Sequence, residues 1–176
     1  MKKIFSLFAL MLMFATSISA QNWYVKSGFG WDFALDAQDK WHHGNKTINL
    51  QVGYFYNSQS AVELDYSHGF QKDFVSYNRV GLNYLYEVTT IDTSFIPYVR
   101  GGFGYRLYHF DNDLSYLLGN DMLFGDVKLG FGFHYYLDED VSLNFGLDAS
   151  YMFNGDVYKF KETFNFQPHI GIAFNF

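Results

Sequence analysis

Eleven charged residues fall at alternate positions within segments whose intervening positions are mostly apolar. Five are basic and six are acidic, so side chains gathered from these positions could neutralise one another or line a path for ions. A buried charge without a partner costs several kcal/mol. We therefore predict an interior network of ion pairs, with a gated ion path as the alternative. The set comprises Lys26, Asp32, Glu63, Asp65, Arg79, Glu87, Arg100, Arg106, Asp126, Lys128 and Asp148.

Two other features could bind a ligand, but their signals are weak. His42 and His43 are potential metal ligands, yet adjacent histidines without a spaced partner are poor evidence for a metal site. The stretches "GGFGYR" and "LGFGFHYY" contain Gly-x-Gly, but neither lies at the strand-to-helix turn that a phosphate-binding loop requires. We therefore predict no metal and no cofactor, and these motifs supply no catalytic residue.

The beginning of the chain has the layout of a secretory signal peptide. A short basic segment precedes an apolar stretch over 4–15, and small residues then lead to Ala20, which is followed by Gln21. The apolar stretch is shorter than the ~20 residues that a spanning helix needs. We predict a signal peptide over 1–20, cleaved between Ala20 and Gln21, and one domain over 21–176.

Composition limits the classes of function that remain. The formal net charge is −6, and an acidic exported chain lacks the clustered basic charge that nucleic-acid binding requires. There is no cysteine, so neither a disulfide nor a lipid-modified N-terminal cysteine is available. Aromatic residues make up 22% of the chain, which suits a wall of lipid-facing rings around a polar interior.

Strict alternation of apolar residues predicts the elements that position the charged set. The odd positions over 141–153 are all apolar, as are the even positions over 164–176. Each stretch is longer than a typical globular strand and suits a tilted crossing of a bilayer, which takes ~9–11 residues. Six earlier segments show the same pattern, over about 23–34, 46–56, 61–68, 74–87, 95–110 and 124–137. The prediction is an all-β, eight-stranded, antiparallel, transmembrane up-and-down β-barrel.

Two kinds of connection alternate along the predicted barrel. Short turns are expected at 57–60, 88–94 and 138–140, and longer polar loops near 35–45, 68–73, 111–123 and 154–162. This asymmetry is typical of outer-membrane barrels, and the even strand count places both chain ends on the short-turn, periplasmic side. A soluble lipocalin-like barrel, with its apolar face inward, is the alternative. Apolar faces that are nearly free of charge favour the membrane.

The final stretch, "HIGIAFNF", ends on an aromatic ring in an alternating run. Together with the eight-segment pattern, it resembles the small outer-membrane barrels of the OmpA/OmpX type, whose last strand carries a polar residue, a glycine and two aromatic residues at fixed spacing. His169, Gly171, Phe174 and Phe176 occupy those positions. The resemblance implies that the barrel-assembly machinery recognises this strand during biogenesis.

We expect a protein of the cell outer membrane, of structural or surface-interaction type and not an enzyme. Outer-membrane lipid and an unidentified surface ligand are its expected partners. A narrow pore is the first alternative, and a lipid-modifying enzyme is the second. Barrels of the PagL and PagP kinds are such enzymes, but no histidine here has the serine two residues later that a PagL-like arrangement needs. The outward faces are also expected to lack a polar cluster, although Ser and His from different strands could meet.

Overall fold

The structure is a computed structural model that describes residues 22–35, 41–42, 44–72, 75–88, 94–110, 121–153 and 164–176. The predicted signal peptide and its cleavage site at Ala20 and Gln21 lie outside these residues, as do His43 and the side chain of His42. No helix within the described ranges is long and apolar enough to cross a membrane.

The described residues contain ten β-strands, and eight barrel strands are built from them. Their bounds are β1 Trp23–Trp31, β2 Phe33–Leu35, β3 Trp41–His42, β4 Lys46–Phe55, β5 Ser60–Lys72, β6 Val75–Glu87, β7 Phe95–Phe110, β8 Asp121–Tyr136, β9 Val141–Phe153 and β10 Phe164–Asn175. The strands β1 and β2 form one barrel strand interrupted at Asp32, and both pair with β10. Within the described ranges, the two-residue strand β3 pairs with β2 alone.

Pairing of the first and last strands closes the sheet. All pairs are antiparallel, each long strand is bonded to the next along the chain, and β1 bonds to both β4 and β10. The backbone amide of Phe176 donates to the carbonyl of Trp23 at 2.8 Å, which continues the closure beyond β10. The prediction of an eight-stranded all-antiparallel barrel is confirmed.

The third barrel strand is longer than the sequence analysis predicted. Expected to end near His68, it continues to Lys72 and pairs with β6 up to the Lys72–Val75 pair. Residues 68–72 therefore belong to the sheet, and the predicted loop near 68–73 is wrong over most of its length. A register shift between Gly69 and Lys72 explains the error, because a bulge breaks the alternation that sequence analysis relies on.

The inner and outer faces of the wall have opposite chemistry. Leu129 on β8 is 68% exposed on the outside, whereas its neighbour Lys128 is 7% exposed and faces the lumen. The same alternation along the other long strands gives an apolar outer wall and a polar interior. This polarity is the reverse of that in a lipocalin-like barrel. We call the end with the connections at 56–59, 88–94 and 137–140 the short-turn end, and the opposite end the long-loop end.

Candidate functional site

All eleven charged residues of the predicted set are buried inside the barrel. Ten of them form one continuous chain of ion pairs in the lumen, in which each member lies within 4.0 Å of the next. In order along this chain they are Lys26, Glu63, Arg100, Asp148, Lys128, Asp65, Arg79, Asp126, Arg106 and Asp32. We call this chain the lumen network. The eleventh residue, Glu87, lies apart from it.

Arg79 is at the centre of the lumen network. Its Nε donates to Asp126 Oδ2 at 2.8 Å and its Nη2 to Asp126 Oδ1 at 2.6 Å, while Nη1 bonds to Asp65. Lys128 Nζ lies 3.0 Å from the same Asp65. Asn83 Nδ2 donates to the other oxygen of that carboxylate at 2.8 Å. This geometry satisfies the charges, because forked Arg–carboxylate bonds are among the strongest that proteins form.

Towards the short-turn end, Arg100 joins two carboxylates. It bonds to Asp148 through Nε at 2.8 Å and Nη2 at 2.5 Å, and its Nη1 lies 3.7 Å from Glu63. Glu63 also pairs with Lys26 and accepts a hydrogen bond from the Tyr24 hydroxyl at 2.7 Å. Each of these acids therefore has more than one partner, as burial demands.

Towards the long-loop end, Arg106 continues the lumen network to Asp32. Its Nη1 lies 2.9 Å from Asp32 Oδ2, and its guanidinium carbon lies 4.5 Å from the centre of the Tyr77 ring. The interruption of the first barrel strand therefore has a local cause. Asp32 leaves the ladder between β1 and β2, its amide donates to the Asn45 carbonyl at 2.9 Å, and its side chain meets Arg106.

Glycines provide the space that the long cations occupy. A Cβ at Gly81 would lie 2.7 Å from Arg79 Nη1, and one at Gly104 would lie 2.8 Å from Arg79 Nη2. Both distances are too short for real atoms, so any side chain at either position would displace the guanidinium. The glycines that share the inner face with the charged set therefore leave the space that the long side chains of the lumen network occupy.

Two layers of apolar and aromatic side chains lie in the lumen, one on each side of the lumen network. The layer at the short-turn end consists of Tyr24, Ala61, Leu85 and Tyr98, all fully buried, with Phe55 packed against it. The layer at the long-loop end consists of Tyr77, Tyr108, Met122, Phe124 and Met152. The sequence analysis did not predict these inward tyrosines, because it placed aromatic rings on the outside. On its strand, each of them is an even number of residues away from a member of the charged set. That spacing places both on the same face, and it was the signal that could have identified them.

Glu87 lies on the short-turn side of these layers and pairs with a histidine that the sequence analysis did not assign. Its Oε1 lies 2.6 Å from Nδ1 of the buried His134, and the Tyr136 hydroxyl lies 3.5 Å from the same oxygen. Glu87 and Tyr136 border an open vestibule of about 550 Å³ at the short-turn mouth. The layer at the short-turn end, which contains Tyr24 and Tyr98, therefore lies between the vestibule and the ten paired charges of the lumen network.

The residues proposed as an assembly signal lie along the closing strand. Phe174 pairs with Val25 and Gly171 with Gly28, so both belong to the contact with β1. His169 faces the lumen instead, where its Nε2 lies 3.2 Å from Arg100 Nη2. Gln167, two residues earlier, donates to Thr47 on β4 at 2.8 Å.

One polar cluster lies on the outer wall at the long-loop end, where the sequence analysis expected none. Ser76 on β6 is paired directly with His109 on β7, and His109 with Asp121 on β8. His109 Nδ1 lies 2.5 Å from Asp121 Oδ1. We call these three residues the rim row. The expectation of an outer wall without polar clusters is wrong, because it was made before the register of the three strands was known.

The lumen, its two layers of apolar and aromatic side chains and the apolar outer wall together define the fold of a small transmembrane β-barrel. No protein-family model and no curated protein sequence matches the chain. Solved structures do match, and they include several small eight-stranded outer-membrane barrels, in agreement with the predicted OmpA/OmpX-type resemblance.

Three solved structures illustrate the range of proteins with this fold. Neisserial surface protein A is 16% identical, with a TM-score of 0.72 over 88% of this chain and 97% of that one. The N-terminal β-barrel domain of Pseudomonas aeruginosa OprF is 22% identical, with a TM-score of 0.66 over 89% and 98%. The outer membrane enzyme PagL is 15% identical, with a TM-score of 0.51 over 84% and 97%. At these identities the matches show the fold alone.

Proposed function

We propose that the protein is a closed outer-membrane barrel of structural or surface-interaction type, with its long loops as the binding surface. The observation that supports this most strongly is the lumen network between two buried layers. Each of the ten charges of the lumen network is paired with an opposite charge inside the wall. An eight-stranded barrel is just wide enough to be filled by its own side chains.

A narrow pore, the first alternative, would require these contacts to open. Ions crossing the lumen would have to displace Tyr24 and Tyr98 at one end and Tyr77 at the other, all fully buried. They would also have to break forked bonds such as those between Arg100 and Asp148. Leaving one member of a buried ion pair without its partner costs about 3–5 kcal/mol, so a conducting state that opens these contacts would be rare.

Single-channel recording in a planar bilayer tests this proposal. The purified folded protein is expected to give no steps at high salt, because the lumen network and its two layers leave no continuous water path. A general porin added to the same bilayer is the positive control. The variant Tyr98→Ala, which removes one of the two tyrosine rings of the layer at the short-turn end, should increase leakage if that layer is the barrier. Reproducible steps from the unmodified protein would replace this proposal with the pore.

The proposed location is the outer membrane, reached through a signal peptide over 1–20. The apolar outer wall supports a lipid environment, and the solved structures with this fold include bacterial outer-membrane proteins. The partners on this proposal are outer-membrane lipid, the barrel-assembly machinery during biogenesis, and a surface ligand whose chemistry is not assigned. His169, Gly171, Phe174 and Phe176 are the proposed recognition residues for assembly.

A further inference from the structure

The rim row brings a hydroxyl, an imidazole and a carboxylate onto three adjacent strands. Directly opposed residues on antiparallel strands have Cβ atoms roughly 5 Å apart, so Ser76 and Asp121 lie within side-chain reach on either side of His109. All three face outward, because the neighbouring Tyr77 and Met122 are buried in the lumen. This is the order of groups that nucleophilic hydrolysis uses, namely hydroxyl, base and orienting acid.

The contact already present in the rim row fixes the orientation of the imidazole. With Asp121 Oδ1 2.5 Å from His109 Nδ1, the proton is held on Nδ1 and the lone pair of Nε2 is free to act as a base. Asp121 does not engage Nε2, and Ser76 on β6 is the residue paired with His109 on its other side. The His109 and Asp121 side chains are 43% and 54% exposed, so the row is accessible from outside the barrel.

Asn78 is placed to stabilise the charge that such a reaction develops. It lies two residues after Ser76 on the same outward face, roughly 7 Å further along β6. Its Oδ1 accepts a hydrogen bond from the Tyr66 hydroxyl at 2.7 Å and lies 3.0 Å from His68 Nδ1. Both contacts engage Oδ1, so they orient the amide without using its Nδ2 hydrogens. A fixed N–H donor next to the nucleophile is what an oxyanion requires.

The surface next to the rim row indicates the chemical class of substrate. Next to the rim row, on the side nearer the middle of the barrel, Leu107 pairs with Leu123. One step further towards the middle, Val80 pairs with Tyr105. Leu123 and Tyr105 are among the exposed apolar residues of the outer wall. An acyl chain lying against this surface would place its ester group at the level of the rim row, where the apolar wall ends.

We propose that the rim row is a serine-hydrolase site for the acyl ester of a membrane lipid in the leaflet at the long-loop end. Ser76 Oγ adds to the ester carbonyl and gives its proton to His109 Nε2, while Asn78 Nδ2 donates to the oxyanion. Collapse breaks the bond to the lipid alcohol, which leaves with the proton from His109. Water then attacks the acyl-serine with His109 as base, releasing a fatty acid and restoring Ser76. The inference rests on the proposed membrane location and is independent of whether the lumen conducts.

The nucleophile is tested with a hexadecyl fluorophosphonate, applied to the full folded barrel in detergent micelles. We expect one covalent adduct by intact mass, located at Ser76 by peptide mapping and absent from Ser76→Ala. Ser27→Ala is the matched control, because Ser27 also faces outward but lies between Leu50 and Ile172 with no histidine beside it. Folding of each variant is checked by the change in electrophoretic mobility on heating.

Hydrolysis of a long-chain p-nitrophenyl ester in mixed micelles tests the base and its orienting acid. Loss of a general base typically costs 10²–10⁴-fold, so His109→Gln should lower kcat by about 100-fold or more. Asp121→Asn should also lower kcat, while Ser27→Ala should match the unmodified protein. A folded barrel that is neither labelled at Ser76 nor hydrolytic would overturn the proposal, as would hydrolysis that persists in Ser76→Ala. Because His109→Gln leaves the nucleophile in place, it provides a second test should Ser76→Ala not fold.

Discussion

The inner and outer faces of the barrel wall differ in what their charged groups contact. Inside, each charge of the lumen network is buried and has protein partners. Removing one member of a pair leaves its partner charge buried in a low-dielectric interior without compensation. Outside, the wall is mostly apolar, and its His109–Asp121 pair lies at the end of the strands, partly in solvent. Among the described residues, the contrast teaches that the paired charges of the lumen are structural, whereas the pair at the rim is accessible from outside.

The largest effect on stability should come from breaking the lumen network at its centre. Arg79→Leu leaves Asp65 and Asp126 without their shared guanidinium, and breaking a buried pair costs about 3–5 kcal/mol. Reversible urea unfolding in lipid vesicles measures the loss. In the double variant Arg79→Leu/Asp126→Leu the loss should be smaller than the sum of the single losses. A single variant as stable as the unmodified protein would contradict a structural role for the network.

A charge moved to the outer wall should have the next largest effect. Leu129→Arg places a cation on the lipid-facing side of β8, where a charged residue costs about 2–4 kcal/mol near the middle of the bilayer. The matched control is Leu137→Arg, since Leu137 is also exposed but lies in the short turn after β8. The same unfolding measurement should show little change for the control. Equal losses for both would argue against a membrane around the wall.

The smallest effect on stability is expected at the end of the wall, where assembly is the more sensitive readout. Phe176→Ser should cost about 1 kcal/mol, typical of a single substitution, because Phe176 lies at the edge of the apolar face. If its ring is part of the assembly signal, the yield of folded barrel in cells should nevertheless fall several-fold while export continues. Phe153→Ser makes the same change at the long-loop end of β9. Equal yields from the two variants would contradict the assembly role.

Much of the fold followed from sequence because alternation with a period of two is a local property. The final two strands and the placement of residues such as Lys128 and Asp148 needed only the parity of each position. The partners of those charges could not be obtained in that way, since Arg79 and Asp126 are 47 residues apart and meet through strand order and register. Parity also gives no warning of a bulge, which is why β5 was predicted to end too early.

The rim row shows the same limit at the candidate site. Ser76, His109 and Asp121 carry no sequence motif, because they belong to three strands and are neighbours only through two registers. The three residues meet only if both strand registers are correct to one residue, and each register depends on the connection between its two strands. The sequence analysis left open a serine and a histidine from different strands, and register alone turned that possibility into named residues.

The lumen network has a consequence for the order in which the wall can form. Lys26 on β1 meets Glu63 on β5 across the intervening β4, and Arg79 on β6 meets Asp126 on β8 across β7. A single hairpin entering hydrocarbon would therefore carry charges whose partners had not yet arrived. Stepwise insertion, one hairpin after another, is disfavoured at every intermediate. The strands are expected to cross the bilayer in a concerted way, as a nearly complete sheet that closes around its own charges.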